Sequence, residues 1–321
     1  MLRRHREVHF PFMFLLALLV GAALMPAPAR GDIYVANYGN GKIGEYTLAG
    51  GVVNSSLISG LNGPNALAMS GSNLFVANYD GTSIGEYNTA GGVVNASLVS
   101  GFMQHGVCSL AVSGSYLFVS SNNPSTGSGT IGEYNALTGA TINASLISGL
   151  VRPQGIALSG SDLYVASDNS GLAGAGTVGK YTLSADFGSI TSSTPALITG
   201  LSYPETLAIS GTNLFVVNEG VGAIAEYNTS GQPLNTTLIT GLNNPIGIAL
   251  LGSDMYVTNF YGTASIGKYT LGADSISIAS STPALVSGLS NAHGIVVTPE
   301  PATLSLLAFG AVGLLIRRSR K

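Results

Sequence analysis

The chain has 321 residues, 45% hydrophobic and only 8% charged, with one cysteine and no tryptophan. A single cysteine excludes an intrachain disulfide. Between Asp32 and Thr298 there are thirteen acidic side chains and four basic ones (Lys42, Arg152, Lys180 and Lys268), a formal net charge of −9. That balance excludes the basic stripe of a nucleic-acid binder and disfavours an anionic membrane surface as partner.

Residues 1–29 read as a signal peptide. Arg3, Arg4 and Arg6 form a positive start, Phe10 to Leu24 an apolar stretch, and Ala27-Pro28-Ala29 supplies the small residues that a signal peptidase requires. The apolar stretch is short for a spanning helix. The segment therefore stands outside the fold, and the chain is predicted to be exported.

From Asp32 to Thr298 a four-part unit recurs. Each part has the signature of a short strand, with β-branched or aromatic residues bounded by Gly, Asn, Ser or Pro. Gly155-Ile156-Ala157-Leu158 exemplifies the first part and Leu163-Tyr164-Val165-Ala166 the second; Ile84-Gly85-Glu86-Tyr87 exemplifies the third and Ala96-Ser97-Leu98-Val99 the fourth. The third part begins at Ile43, Ile84, Ile131, Val178, Ile224 and Ile266, a spacing of 41 to 47 residues. Four strands in about 40 to 50 residues make one propeller blade. The span 32–298 is thus predicted to be an all-β, six-bladed β-propeller. It opens on a second strand, Ile33-Tyr34-Val35, and closes on a first strand, His293-Gly294-Ile295-Val296-Val297. The two ends are predicted to build one blade jointly and leave no open sheet edge.

The blade is similar to the NHL class of propellers, in which a Pro-x-Gly-Ile-Ala strand precedes a Tyr-Val-Ala strand. Pro153-Gln154-Gly155-Ile156-Ala157 with Tyr164-Val165-Ala166 carries the resemblance, as does Pro245-Ile246-Gly247-Ile248-Ala249 with Tyr256-Val257-Thr258. The chain departs where that class often has Asp after the second strand; Asn37, Asn78, Asn218 and Asn259 stand there. The class includes enzymes and binding scaffolds, so the resemblance implies a fold and leaves function to the site.

The residue entering each first strand is predicted to face the central channel. In register with Gly-Ile-Ala these residues are Asn65, His105, Gln154, Glu205, Ile246 and His293, in blades two, three, four, five, six and one. His105 and His293 are the only histidines between 32 and 298. With Glu205 they come from alternate blades. Two imidazoles and a carboxylate meeting on an axis suit Zn²⁺ or Fe²⁺, which could acidify a water or polarise a carbonyl. Two other readings stay open: a ring, including Asn65 and Gln154, that binds a ligand without metal, and a rim that is polar because water is there.

Connections on the same side vary most. Asn122 to Gly129 and Asp168 to Gly176 are long and rich in Gly and Ser, as binding loops or tolerated insertions are. The third strands carry Glu45, Glu86, Glu133, Lys180, Glu226 and Lys268, which predicts lateral ion pairs between neighbouring blades. Asn54, Asn95, Asn143, Asn228 and Asn235 begin Asn-x-Ser/Thr triplets, four of them at one repeat position, so the repeat accounts for them. Cys108, in the apolar run Gly106 to Val112, is predicted to be a buried small hydrophobe. A nucleophile there would need a neighbouring base and electropositive surroundings.

The chain ends on Pro299-Glu300-Pro301, an apolar run from Ala302 to Ile316, and Arg317, Arg318, Arg320 and Lys321. The run would make a helix of about 22 Å against about 30 Å of hydrocarbon. Snorkelling arginines reduce that gap, and the basic end should stay cytoplasmic. Pro299, Glu300, Pro301, the apolar helix and the Arg317-Arg318 pair together resemble the PEP-CTERM sorting signal, with Thr298 where that family usually has Val. The resemblance implies that residues 299–321 are a sorting tail with a short transmembrane helix. It also implies processing by an exosortase-type membrane protease in an envelope that makes exopolysaccharide. The expectation is a precursor held in the inner membrane, then a binding or structural propeller at the cell surface or in the matrix, with exopolysaccharide as a partner. The alternative is a metal-dependent hydrolase or lyase, lactonase-like, acting at the channel mouth.

Overall fold

The repeated runs are too short for helices, and a turn closes each one. In the turns between first and second strands Gly71, Gly114, Gly160, Gly211 and Gly252 take φ of 57–60°, a left-handed conformation that glycine adopts without strain. Each run therefore folds back on its neighbour as an antiparallel strand. The computed structural model describes residues 31–169 and 171–299. The predicted signal peptide, the transmembrane helix and the Arg317-Arg318 pair lie outside the described residues. Among the described residues no helix is long and apolar enough to cross a membrane.

Among the described residues twenty-four strands form six four-stranded sheets, the predicted six blades. Blade 1 holds β1 (Asp32–Asn37), β2 (Lys42–Thr47) and β3 (Val52–Ile58). Blade 2 runs from β4 (Pro64–Ser70) to β7 (Val93–Ser100), and blade 3 from β8 (Val107–Ser113) to β11 (Thr141–Val151). Blade 4 runs from β12 (Pro153–Ser159) to β15 (Ile190–Leu201), and blade 5 from β16 (Pro204–Ser210) to β19 (Pro233–Ile239). Blade 6 runs from β20 (Pro245–Leu251) to β23 (Ile278–Ser287), and β24 (Ala292–Val297) returns to blade 1. There β24 pairs antiparallel with β1, placing Ile33 opposite Val297 and Val35 opposite Ile295. The Asp32 N–H donates to Thr298 Oγ1 at 2.9 Å, and the Thr298 N–H donates to the Asp32 carbonyl at 2.9 Å. The joint blade is thereby closed.

Six apolar clusters fill the six gaps between neighbouring blades. The gap that closes the ring is filled like the others, by Val35 and Ile295 against Tyr256 and Ile266. Because blades pack on both faces of each sheet, the middles of the second strands are largely apolar; Leu214, Phe215, Val216 and Val217 are fully buried. Truncating one such side chain to Ala costs about 2–5 kcal/mol. All of these clusters lie within Asp32–Thr298, which forms one compact unit and so meets the requirement for a domain that folds alone.

The third-strand motif is a packing device. Side chains two residues apart share a face of a strand. The rings of Tyr46, Tyr87, Tyr134, Tyr181 and Tyr269 lie back over Gly44, Gly85, Gly132, Gly179 and Gly267, where an added Cβ would sit 2.7–2.9 Å from the ring. Blade 5 has Ala225 before Tyr227, so the ring can yield to a methyl.

Among the described residues Lys180 and Lys268 do not make the predicted lateral ion pairs. Lys180 Nζ lies 2.8 Å from Asp162 Oδ2, and Lys268 Nζ lies 2.8 Å from Asp254 Oδ2, each within one blade. Register is the reason. Tyr164 stands opposite Lys180, so the same-face polar residue two positions earlier on the second strand is within diagonal reach. In blades 2 and 5 Asn occupies that position beside Glu: Asn73 donates to Glu86 at 2.7 Å and Asn213 to Glu226 at 2.6 Å. In blade 3 Tyr116 takes the Asn position, and both oxygens of buried Glu133 lack a hydrogen-bond partner. Burial pushes the Glu133 carboxyl up to about 7.

The Asn-x-Ser/Thr triplets have a structural role. Asn54, Asn95, Asn143 and Asn235 sit where the fourth-strand ladder shifts register. Each Oδ1 accepts the N–H two residues on, at 3.0–3.1 Å, an Asx turn that completes a bulge.

Candidate functional site

Every first strand shifts register as it enters its sheet. The shifts fall between Pro64 and Ala66, Val107 and Ser109, Pro153 and Ile156, Pro204 and Leu207, Pro245 and Ile248, and opposite His293 in blade 1. A bulge re-aims the side chain it carries. The residues so placed are Asn65, Cys108, Gln154, Glu205, Ile246 and His293, and all six line one cavity of about 430 Å³. Neighbouring inner strands approach closely because small residues follow. A Cβ on Gly155 would lie 2.3 Å from the Glu205 carbonyl, and one on Gly247 2.4 Å from that of His293. Hydrogen bonds lace the blades: Asn65 Nδ2 donates to the Val107 carbonyl at 2.8 Å, Thr206 Oγ1 to the Ile246 carbonyl, and Thr258 Oγ1 to the His293 carbonyl at 2.6 Å.

Asn65, Gln154, Glu205 and His293 thus lie together on the channel wall, but His105 does not join them. Leu110 pairs with Val119 as Leu67 pairs with Val76, which puts Cys108 at the ring position of blade 3. Gly106-Val107 mimics the Gly-Ile of the other blades; the true counterpart is Ser109-Leu110. His105 lies at the exposed rim with φ 60°. Its Nε2 is 3.1 Å from Asp80 Oδ1, and its ring stacks on Tyr79 with centroids 5.1 Å apart. The metal set of His105, Glu205 and His293 therefore does not assemble. Among the described residues no three His, Cys, Asp or Glu side chains are grouped to hold a metal ion.

The residue found in place of His105 is Cys108, held as a thiol in this cavity. Binding or nucleophilic attack requires a thiolate. Burial, aided by the charge of Glu205, pushes the Cys108 thiol up to about 12, and its sulfur accepts from Asn122 Nδ2 at 3.1 Å. Cys108 is half-buried against the cavity rather than sealed in the core.

A second ring surrounds the first and is not apparent from residue type. Three residues past the central valine of each second strand stand Tyr38, Tyr79, Asn122, Asp168, Glu219 and Phe260. The signal lay in the repeated Asn37, Asn78, Asn218 and Asn259, which this position directly follows. In blades 6, 1 and 2 the ring is aromatic. Tyr38 packs against Tyr79, Phe260 and His293 with centroids 6.2–6.4 Å apart, and Phe260 meets Tyr261 edge-on at 4.8 Å. The Tyr38 hydroxyl donates to Asp80 Oδ1 at 3.0 Å. In blades 3, 4 and 5 the ring is polar: Asn244 donates to Glu219, and Arg152 Nε lies 3.2 Å from Asp168 Oδ2.

Burial controls the electrostatics. It pushes the Glu205 carboxyl up to about 8, helped by the charges of Glu219 and Asp168 and opposed by Arg152. It also raises Glu219 and pulls the His293 imidazole down to about 4. At neutral pH Glu205 therefore holds a proton and His293 does not. Asn65 Oδ1 is buried without a partner. The inner wall is polar but uncharged, with a carboxylic acid donor at Glu205.

Fold and site together define a six-bladed β-propeller with a lined cavity at one mouth of its channel. Solved structures share the fold. A chain of the nidogen/laminin complex aligns with TM-score 0.62 and 15% identity, over 83% of this chain and 98% of that one. XC5397 of Xanthomonas campestris, a gluconolactonase, aligns with TM-score 0.56 and 12% identity, over 71% and 79%. A streptogramin B lyase aligns with TM-score 0.52 and 18% identity, over 82% and 76%. Residues 297–321 match the family model of the PEP-CTERM protein-sorting motif. The motif implies an exported protein, anchored at the membrane before processing by an exosortase-type system. No curated protein matches the chain.

Proposed function

We propose that the protein is an exported binding propeller of the cell surface or matrix, and that its channel-mouth cavity holds an uncharged polyhydroxyl ligand of the sugar class. The observation that carries this reading is an aromatic wall facing an uncharged polar floor: Tyr38, Tyr79, Phe260 and Tyr261 with Asn65, Gln154 and Glu205. A sugar ring offers polarised C–H groups on its face and hydroxyls at its edge. Aromatic faces carry negative potential that suits the former, while amides and a protonated acid supply donors and acceptors for the latter. A volume of about 430 Å³ falls in the range of small-ligand sites. In this reading exopolysaccharide is the partner met after export. The test is calorimetry of residues 32–298 with neutral sugars, beside Tyr79→Ala and Glu205→Gln. Binding weakened about tenfold or more by Tyr79→Ala supports the proposal; no binding by any neutral sugar sinks it.

A second reading uses the proton on Glu205. A carboxyl that stays protonated near neutrality inside a cavity is suited to general-acid chemistry, with lactone or ester cleavage as the reaction class. Gluconolactone turnover that disappears in Glu205→Gln would favour it, and absence of turnover removes it.

A further inference from the structure

Beside the central cavity lies another of about 400 Å³, walled by the long loop of blade 3 from Asn122 to Gly127, with Val151, Arg152 and Asn169. Tyr79 and Gln154 line both cavities, so the two are adjacent. We propose that the two form one cleft with two subsites, and that its ligand is a neutral glycan of at least two sugar units. This rests on the central cavity being a sugar site.

The second cavity has the chemistry of a hydroxyl-binding surface, with Asn122, Asn123, Ser125, Thr126 and Arg152 in its lining. It is built in advance. Asn123 Oδ1 accepts the N–H groups of Ser125 at 2.9 Å and Thr126 at 3.3 Å. The Arg152 N–H donates to the Gly127 carbonyl at 2.7 Å and joins the two blades. Asn169 Nδ2 donates to the Ala175 carbonyl at 3.0 Å and to Thr177 Oγ1 at 2.9 Å, pinning the long loop of blade 4. Loops held this way lose little freedom when a ligand binds.

Charge selects the ligand class. Arg152 is the one cation in either lining. Its Nε is paired with Asp168, yet its side chain is 47% exposed, so the fork keeps donors for hydroxyls while the pair adds no net charge. A domain at −9 repels polyanions at long range.

The test is calorimetry of residues 32–298 with glucose, cellobiose and cellotriose, the corresponding mannose and galactose series, and trigalacturonate as anionic probe. In at least one neutral series the Kd should fall about tenfold or more from mono- to disaccharide, a gain of about 1.4 kcal/mol. Asn123→Ala should abolish that gain and leave monosaccharide affinity unchanged, with melting curves confirming that the variant is folded. Monosaccharide binding as tight as disaccharide binding overturns the two subsites alone. Trigalacturonate binding more tightly than the neutral trimers overturns the neutral assignment. No sugar binding at all overturns the sugar site itself, and this inference with it.

Discussion

The channel mouth has two unlike halves on one repeated frame. Blades 6, 1 and 2 present Phe260, Tyr38 and Tyr79; blades 3, 4 and 5 present Asn122, Asp168 and Glu219 at the same backbone position. The aromatic half packs on itself, ring against ring. The polar half is held by a hydrogen bond from Asn244 and an ion pair to Arg152. All six blades close the same way, so the fold demands neither set. A repeat supplies six equivalent places, and what a site does is carried by the departures from equivalence.

The largest expected effect tests that division directly. Tyr79 lines both cavities, and Tyr79→Ala removes a stacking face. Loss of about tenfold or more in sugar affinity is expected, from ring stacking of about 0.5–1.5 kcal/mol plus lost apolar contact. Asn122→Ala, its counterpart in the polar half, should change affinity by no more than about threefold. Equal losses in calorimetry would mean that the halves do not differ in function.

Next comes the proton on Glu205. Ligand affinity should fall as pH rises through about 8, because ionisation removes the donor and places charge in the cavity. Glu205→Gln should flatten that profile. Stability moves in the same direction. The folded-state pKa is raised above the ordinary glutamate value of about 4.3, so the group's contribution is full below that value and is lost as pH rises to about 8. His293 works oppositely: its folded value is lowered to about 4, so its contribution holds above about 6.5 and is lost as pH falls. Melting temperatures should therefore decline at both ends, and a flat profile would refute the uncharged wall.

Glu133 separates stability from binding. It sits in the third strand of blade 3, outside the mouth, with two unpartnered oxygens and a carboxyl raised to about 7. It too costs stability as pH rises from about 4.5 to 7. Glu133→Gln should raise Tm at pH 8 by about 2–4 °C, the shift that about 1 kcal/mol gives a domain of this size, and change Tm less at pH 5. Sugar affinity should stay constant. If affinity changes as much as stability does, the mouth is coupled to the blade interior and the two halves cannot be treated as local features.

Blade number and the shared first blade were legible because they rest on local patterns: the period of Ile43, Ile84 and its successors, and entry on a second strand. Asn65, Gln154, Glu205 and His293 were legible because the repeated inner-strand pattern sets their register. His105 was misplaced because Gly106-Val107 imitates Gly-Ile, while Ser109 and Val107 hold the places of the usual Gly and Pro; only the pairing of Leu110 with Val119 reveals this. The second ring was passed over for a different reason. Tyr38, Asn122 and Glu219 share a position without sharing a chemistry, so no repeated residue type marks the ring. The proton on Glu205 was out of reach, since burial depends on how closely six inner strands converge. The ion pairs failed on register: a neighbour two residues away on the same sheet lies nearer than one across a blade gap.

The smallest expected effect bears on whether the mouth's asymmetry is only a by-product of blade type. Blades also divide at the third strand, where 4 and 6 carry Lys with Asp and the others carry Glu. That division crosses the one at the mouth, since blade 4 is polar there and blade 6 aromatic. If the two are independent, Lys180→Met should lower stability slightly and leave ligand affinity unchanged. Lys180 and Asp162 are each 29% exposed, and a pair in that setting contributes about 0.2–1 kcal/mol. Asp162 keeps its hydrogen bond from Thr182 at 2.7 Å, which limits the loss further. Urea unfolding should place the change within that range, and Lys268→Met should match it in blade 6 despite the opposite character of its mouth residue. A shift in sugar affinity in one lysine variant and not in the other would tie blade type to the mouth, and the two halves would then reflect two kinds of blade rather than a site written on top of them.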